Sequence, residues 1–273
     1  MTTEIREAGP LAAEMPPLGS ARQKTDFRSG NEAAALAARD VGFHVMGYFP
    51  ITPSTEVAEN LSRMHADGEH EIMMVAGDGE HGAAGICYGA ALGGGRVLNA
   101  TSSQGLLYSL EQLPVQAGTR VPMVLNIAAR TVSGPLDIRG DHSDIYFALN
   151  TGWIILLARD PQAVYDMNFA AVRIGEHPDV RLPVIVCYDG FFTSHQKRQV
   201  RDVERGLRGL VGGERVLVAQ QARELLRELL LRLAQALQTL QRKAAPLIRH
   251  HQVETTVGPA RRDAHPALPP DRI

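Results

Sequence analysis

The stretch VAGDGEHGAAG, Val75 to Gly85, gathers residue types that could do chemistry in three different ways. Glycines 77, 79 and 82 spell G-x-G-x-x-G, Asp78 lies in a Gly-Asp-Gly turn, and Glu80 opens a run of small residues, AAGICYGAALGGG. A dinucleotide fingerprint needs its glycines in the first strand-to-helix turn, with an acidic residue about 20 positions on to hold the ribose hydroxyls. Here the unit is the third along the chain, and the next strand, RVLNATSSQ, ends in hydroxyl and amide residues. NAD(P) binding in a Rossmann fold is therefore the minor reading. A magnesium and diphosphate site built on Gly-Asp-Gly needs an asparagine further along, and Asn99 comes too early; Asp78 reads as a turn or N-cap residue. Glu80 remains. A carboxylate in the first turn of a helix is stabilised by the helix dipole, and the small residues behind it let a flat ring come close to the backbone.

Arg130 closes the apolar run VPMVLNIAAR. Ligands of parallel sheets collect at the C-terminal ends of the strands, and the planar guanidinium fork suits a carboxylate. Asp141, His142 and Asp144 in GDHSD are metal-ligand types, but they read better as a network of loop caps orienting the Arg130 loop, so no metal is assigned to this chain. Cys87 and Cys187, both in apolar surroundings, are too few for a disulfide framework or for an iron–sulfur cluster, which takes four thiolates.

The elements that must position these residues alternate. GFHVMGYF, EIMMVA, RVLNATS, VPMVLNIAA, WIILLA and LPVIVCYD read as six strands. Between them lie helices in NEAAALAARDVG, with Asn31 as cap, in PSTEVAENLSRMHA, with Pro53 in its first turn, and in EHGAAGICYGAALGG, QGLLYSLEQLPVQAG and DPQAVYDMNFAAVRIGE. Short apolar runs separated by helices predict a parallel sheet covered on both faces, a three-layer α/β domain over residues 29–200. Residues 1–28 read as a flexible arm. Residues 201–273 read as an Arg- and Leu-rich helix, with leucines at 226, 230, 233, 237 and 240 on one seam, followed by a disordered tail. The 273 residues are 44% hydrophobic, and 28 basic against 30 acidic residues leave a net charge of −2, too little to draw the chain onto nucleic acid or an anionic membrane. With neither a leader sequence nor an apolar run of about 18 residues, a cytoplasmic location is expected.

Five motifs occur in an order that identifies a family: GYFPITPST (47–55), GEHGAAGICYGAALGGGRVLNATSSQGL (79–106), NIAAR (126–130), GDHSDIYFALNTGW (140–153) and YDGFFTSH (188–195). Together they resemble the N-terminal, pyrimidine-binding domain of pyruvate:ferredoxin oxidoreductase and related 2-oxoacid:ferredoxin oxidoreductases. The resemblance implies that Glu80 faces N1′ of the aminopyrimidine of thiamine diphosphate, and that Thr52 and Arg130 contact the 2-oxoacid. It implies CoA-dependent oxidative decarboxylation within an oligomeric complex. Magnesium, the 4Fe–4S clusters and the other half of the thiamine diphosphate pocket are then expected on diphosphate-binding and ferredoxin-like partner subunits, with ferredoxin as electron acceptor. A non-catalytic assembly or regulatory partner of such a complex is the alternative. His81, where the family usually carries a small uncharged residue, and Phe192, where it often carries an arginine, depart from the pattern.

Overall fold

A computed structural model describes residues 23–203, all within one compact unit of the chain. The arm over residues 1–22 and the helix and tail expected after residue 203 lie outside the described residues. Eight strands and six α-helices follow in the order β1 (Gln23–Arg28), α1 (Gly30–Val41), β2 (Val45–Tyr48), α2 (Thr55–Ala66), β3 (Met73–Ala76), α3 (Glu80–Leu92), β4 (Val97–Thr101), α4 (Ser103–Ser109), α5 (Gln112–Gly118), β5 (Val124–Ala129), β6 (Ile154–Ala158), α6 (Pro161–Gly175), β7 (Val184–Asp189) and β8 (Arg198–Val203). A 3₁₀ turn, Asp144–Ala148, stands in the loop between β5 and β6.

The six strands read from the sequence form one parallel sheet in the order β3-β2-β4-β5-β7-β6. Helices α1, α2 and α6 pack together on one face; α3, α4 and α5 pack on the other. Buried on both sides, β5 (VLNIAA) and the first five residues of β7 carry no polar alternation. Numbered within the sheet alone, the strands run 2-1-3-4-6-5, whereas the dinucleotide-binding fold runs 3-2-1-4-5-6. The direction of winding reverses between β2 and β4, so the crevice at their C-terminal ends is the natural ligand position. No helix among the described residues is long and apolar enough to cross a membrane.

Several local expectations change. Residues 23–28 are not part of a free arm: they pair antiparallel with residues 198–203 as a two-stranded ribbon, extending the ordered domain at both ends. Asn31 is not the cap of α1. Ser29 is, in a capping box where its hydroxyl accepts from the N–H of Glu32 and the Glu32 carboxylate accepts from the N–H of Ser29. Pro53 precedes α2 instead of sitting in its first turn. The segment expected as one helix over residues 104–118 is two, because Pro114 has no N–H to give the carbonyl of Leu110; the N–H of Leu113 takes that carbonyl at 3.2 Å.

Freed from capping, the fully buried Asn31 joins two strand ends. Its Nδ2 donates to the carbonyl of Pro53 at 2.8 Å and its Oδ1 accepts from the Tyr188 hydroxyl at 2.9 Å. The turn after β2 is thereby tied to α1 and β7. Replacing Asn31 by Ala leaves that hydroxyl and that carbonyl buried without partners. We expect a loss of about 1–3 kcal/mol in urea unfolding and a melting temperature lower by several degrees; unchanged unfolding would show that the turn holds without this tie.

Candidate functional site

The three residues singled out from the sequence lie at the C-terminal end of the sheet, on the turns after β2, β3 and β5. Thr52 follows β2, Glu80 opens α3 after β3, and Arg130 directly follows β5. Thr52 is exposed, Glu80 half-buried and Arg130 buried at 6% exposure. Thr52 and Arg130 meet directly, the arginine Nε donating to the Thr52 carbonyl at 2.8 Å. Arg130 Nη1 donates to the carbonyl of Thr131 at 3.0 Å and to Gln104 Oε1 at 3.2 Å, with Ser133 Oγ at 3.5 Å. All these acceptors are neutral, so they fix the guanidinium plane without neutralising its charge. Burial pulls the guanidinium below its usual pKa range, opposed by the nearby Asp144 carboxylate.

Glu80 is bounded by absence of bulk. A Cβ added at Gly105 would stand 2.7 Å from Glu80 Cγ and 2.8 Å from Glu80 Oε1, and would also strike Thr101 Oγ1. Only glycine at 105 lets the acid lie against α4. The glycines of the opening motif serve the same close packing: a Cβ at Gly77 would stand 2.6 Å from the backbone nitrogen of Ala83, and one at Gly82 would strike the Asp78 carboxylate. They hold a tight strand-to-helix turn. Among the described residues the Glu80 carboxylate makes no hydrogen bond or ion pair. The hydroxyls of Thr101 and Ser102, at the end of β4, are buried without partners as well.

His81 turns away from its neighbour. Its Nε2 donates to Glu111 Oε1 at 2.7 Å, its ring centroid lies 5.8 Å from that of Tyr108, and its carbonyl accepts from Gln112 Nε2 at 2.8 Å. These contacts tie the start of α3 to α4 and α5. His81, Leu107, Tyr108 and Glu111 also line an open hollow of about 330 Å³.

The acidic residues of GDHSD divide their roles. Asp144 is fully buried, and its Oδ2 accepts from the backbone N–H groups of Ser103 at 2.8 Å and Arg130 at 3.1 Å, as a cap of the Arg130 loop should. Asp141 caps the N–H of Ser143, and His142 Nε2 donates to Asp189 Oδ2 at 2.9 Å at the end of β7. No group of three metal-ligating side chains occurs among the described residues. The sequence reading missed Gln104 and Gly105, which form the link between Arg130 and Glu80. The signal was there in TSSQGL: a long amide beside a glycine, at the start of a helix, on the strand flanking the switch point.

The sheet order and the helices on both its faces define a three-layer α/β domain. The family model described as "Pyruvate flavodoxin/ferredoxin oxidoreductase, thiamine diP-bdg" matches residues 36–236, and the chain belongs to that family. It is 42% identical over 167 residues to pyruvate synthase subunit PorA of Thermotoga maritima, covering 61% of this chain and 43% of that one. It is 35% identical over 179 residues to NADH-dependent phenylglyoxylate dehydrogenase subunit alpha of Aromatoleum evansii, covering 66% and 43%. The chain thus spans less than half the length of these relatives. In fold it is similar to a solved 2-oxoglutarate:ferredoxin oxidoreductase from Magnetococcus marinus, with TM-score 0.60 and 22% identity, over 67% of this chain and 32% of that one.

The residues present fit such a cofactor. Gly105 seats a carboxylate that has no partner among the described residues, and two orphaned buried hydroxyls lie in the adjoining turn.

Burial pushes the Asp144 carboxyl above its ordinary value of 3.8, against the N–H groups of Ser103 and Arg130 that favour its charged form. A carboxyl raised in the folded state binds its proton more tightly there than in the unfolded chain, so its contribution is full below pH 3.8 and is lost as pH rises through the folded value. We therefore expect the stability of the native chain, relative to Asp144→Asn, to fall as pH rises above about 4. Urea unfolding of both proteins across pH 3.5–7 (approximate limits around the carboxylate range) measures it; a constant difference would mean that Asp144 titrates as an ordinary carboxylate.

Proposed function

We propose that this chain supplies the pyrimidine-facing half of a thiamine diphosphate site in a 2-oxoacid:ferredoxin oxidoreductase complex, with pyruvate as the leading substrate. The observation that carries the proposal is Glu80: a half-buried carboxylate at a helix start, seated against Gly105 and without a hydrogen-bond partner among the described residues. The relatives' names support the substrate class, since pyruvate, phenylglyoxylate and 2-oxoglutarate are all 2-oxoacids. The printed names of two of them carry different electron acceptors, NADH and ferredoxin, which supports an acceptor site outside this chain.

Thiamine diphosphate, when bound, supplies the electron sink that lets a 2-oxoacid lose carbon dioxide. Glu80 exchanges a proton with N1′ of its aminopyrimidine, a general acid–base role that requires a carboxyl group at this position. Aspartate would fall a methylene short. Arg130 receives the substrate carboxylate: Nε and Nη1 are committed to Thr52, Thr131 and Gln104, while Nη2 makes no hydrogen bond among the described residues. Thr52, exposed after β2 and bonded through its carbonyl to Arg130, is the second substrate contact.

The diphosphate, magnesium and 4Fe–4S clusters belong to partner subunits, as do the sites for CoA and ferredoxin. The two cysteines here are buried on α3 and β7, and burial pushes the Cys87 thiol up to about 12, so neither is poised as a thiolate ligand. A cytoplasmic complex suits free thiols of this kind.

In the complex purified with its native partners, Glu80→Gln should lower 2-oxoacid-dependent reduction of ferredoxin by about 10²–10⁴-fold while co-purification of the subunits is unchanged. Arg130→Lys should raise KM for the 2-oxoacid, because a point charge replaces a planar fork. Unaltered turnover in both variants would assign the chain a non-catalytic role in assembly or regulation.

A further inference from the structure

Gln104 stands between the acid and the arginine, one residue before the glycine that accommodates Glu80. Its Oε1 faces the donors Arg130 Nη1 at 3.2 Å and Ser133 Oγ at 3.1 Å, and lies 2.6 Å from Ser103 Oγ, whose one proton it shares with the carbonyl of Thr131. A guanidinium only donates, so the amide atom facing it must be the oxygen, and the orientation of the amide follows from chemistry. The nitrogen, with two N–H groups, is therefore turned away from these donors, and among the described residues it has no partner. Arg130 shows the same division, with Nε and Nη1 engaged and Nη2 unpartnered. Two side chains bonded to each other thus each hold back one nitrogen donor, at the C-terminal end of the sheet where ligands collect.

The backbone is strained to achieve this. Ser103 adopts φ of +45°, a left-handed conformation that a non-glycine residue takes only when its surroundings impose it. They do so twice, through its N–H to Asp144 Oδ2 at 2.8 Å and its hydroxyl, which lies 2.5 Å from the carbonyl of Thr131. Ordinary helix capping does not account for the strain, since Ser102, the cap residue of α4, makes no side-chain cap bond. What the conformation achieves is the placement of Gln104 toward Arg130.

We propose that Gln104 is a second substrate-binding residue: its oxygen holds the Arg130 guanidinium in plane, and its amide nitrogen donates to an oxygen of the 2-oxoacid head beside Arg130 Nη2. A neutral donor next to a cationic one suits a head group in which a carbonyl adjoins a carboxylate. The inference rests on the 2-oxoacid reading of the site.

Two variants of the assembled complex test it. Gln104→Glu keeps an oxygen for Arg130, Ser103 and Ser133 but replaces the free donor by a second, charged acceptor. Gln104→Met is a neutral side chain of similar length with no donor. Both should raise KM for the 2-oxoacid by roughly tenfold or more, with kcat and thiamine diphosphate affinity, measured by calorimetry, close to those of the native complex. A residue that merely supported the fold would lower kcat, cofactor affinity and stability together, and that pattern overturns the proposal. So does a native KM in Gln104→Met, which would reduce any effect of Gln104→Glu to charge repulsion. Glu80→Gln, assayed in parallel, separates the two levels: if it is inactive while Gln104→Met is native in KM, only the role of Gln104 falls. If Glu80→Gln turns over normally, the 2-oxoacid reading falls and this inference with it.

Discussion

Asp144 Oδ2 accepts from the backbone N–H groups of Ser103 and Arg130, residues that follow two adjacent strands of the sheet, so the turns after β4 and β5 cannot move independently. The carboxylate is fully buried and its second oxygen has no partner, which makes the arrangement costly as well as stiff. The other geometry of the site follows from that clamp. Ser103 is held in a left-handed turn, Gln104 is presented to Arg130, and Gly105 falls where only a hydrogen can face Glu80.

The acid is fixed from the same side. Helix α3 has few large side chains and lies close on the sheet: a Cβ on Gly47 in β2 would stand 2.6 Å from the carbonyl of Ala83. Its first turn is tied to α5 by Gln112 and to the α4–α5 junction by His81 and Glu111. Helix α4 begins at Ser103, which Asp144 holds. The path from Glu80 to Arg130 therefore runs through the backbone of α4 and the side chain of Gln104, itself held by Arg130 and Ser133. Preorganisation of this kind lets a proton-transfer group and an anion-binding group keep their spacing before a ligand arrives.

The parts of this arrangement that were legible in the sequence are those written in local pattern. The six strands of the parallel sheet are short apolar runs between helices, and they appear in the structure where the alternation puts them. The ribbon of β1 and β8 was illegible because QKTDFR and RQVRDV show no sustained apolar alternation and meet across nearly the whole domain. The break between α4 and α5 was legible in principle from Pro114. Glu80 stood out for its place before a run of small residues and Arg130 for its place after a strand, but Thr52 entered only through the likeness of ITPS to a known family. The role of Asp144 was anticipated; the link through Gln104 and Gly105 was not, because neither residue type announces chemistry until the fold sets it between an acid and a guanidinium.

The choice of acceptors around Arg130 carries a final consequence. A carboxylate bonded to the guanidinium would hold it as firmly as the carbonyls of Thr52 and Thr131 and the amide of Gln104, and would bring more energy per bond. It would also cancel the charge that an anionic ligand needs to find. Asp144, the nearest acid in the site, bonds the backbone N–H of Arg130 and leaves the guanidinium to neutral partners. Orientation and charge are thus supplied by different groups: peptide and amide oxygens set the plane, while the positive charge stays uncompensated by direct contact. Glu80, seated against Gly105, likewise has no hydrogen bond or ion pair among the described residues, so acid and guanidinium both keep their charge-bearing groups free of a counter-charge in contact.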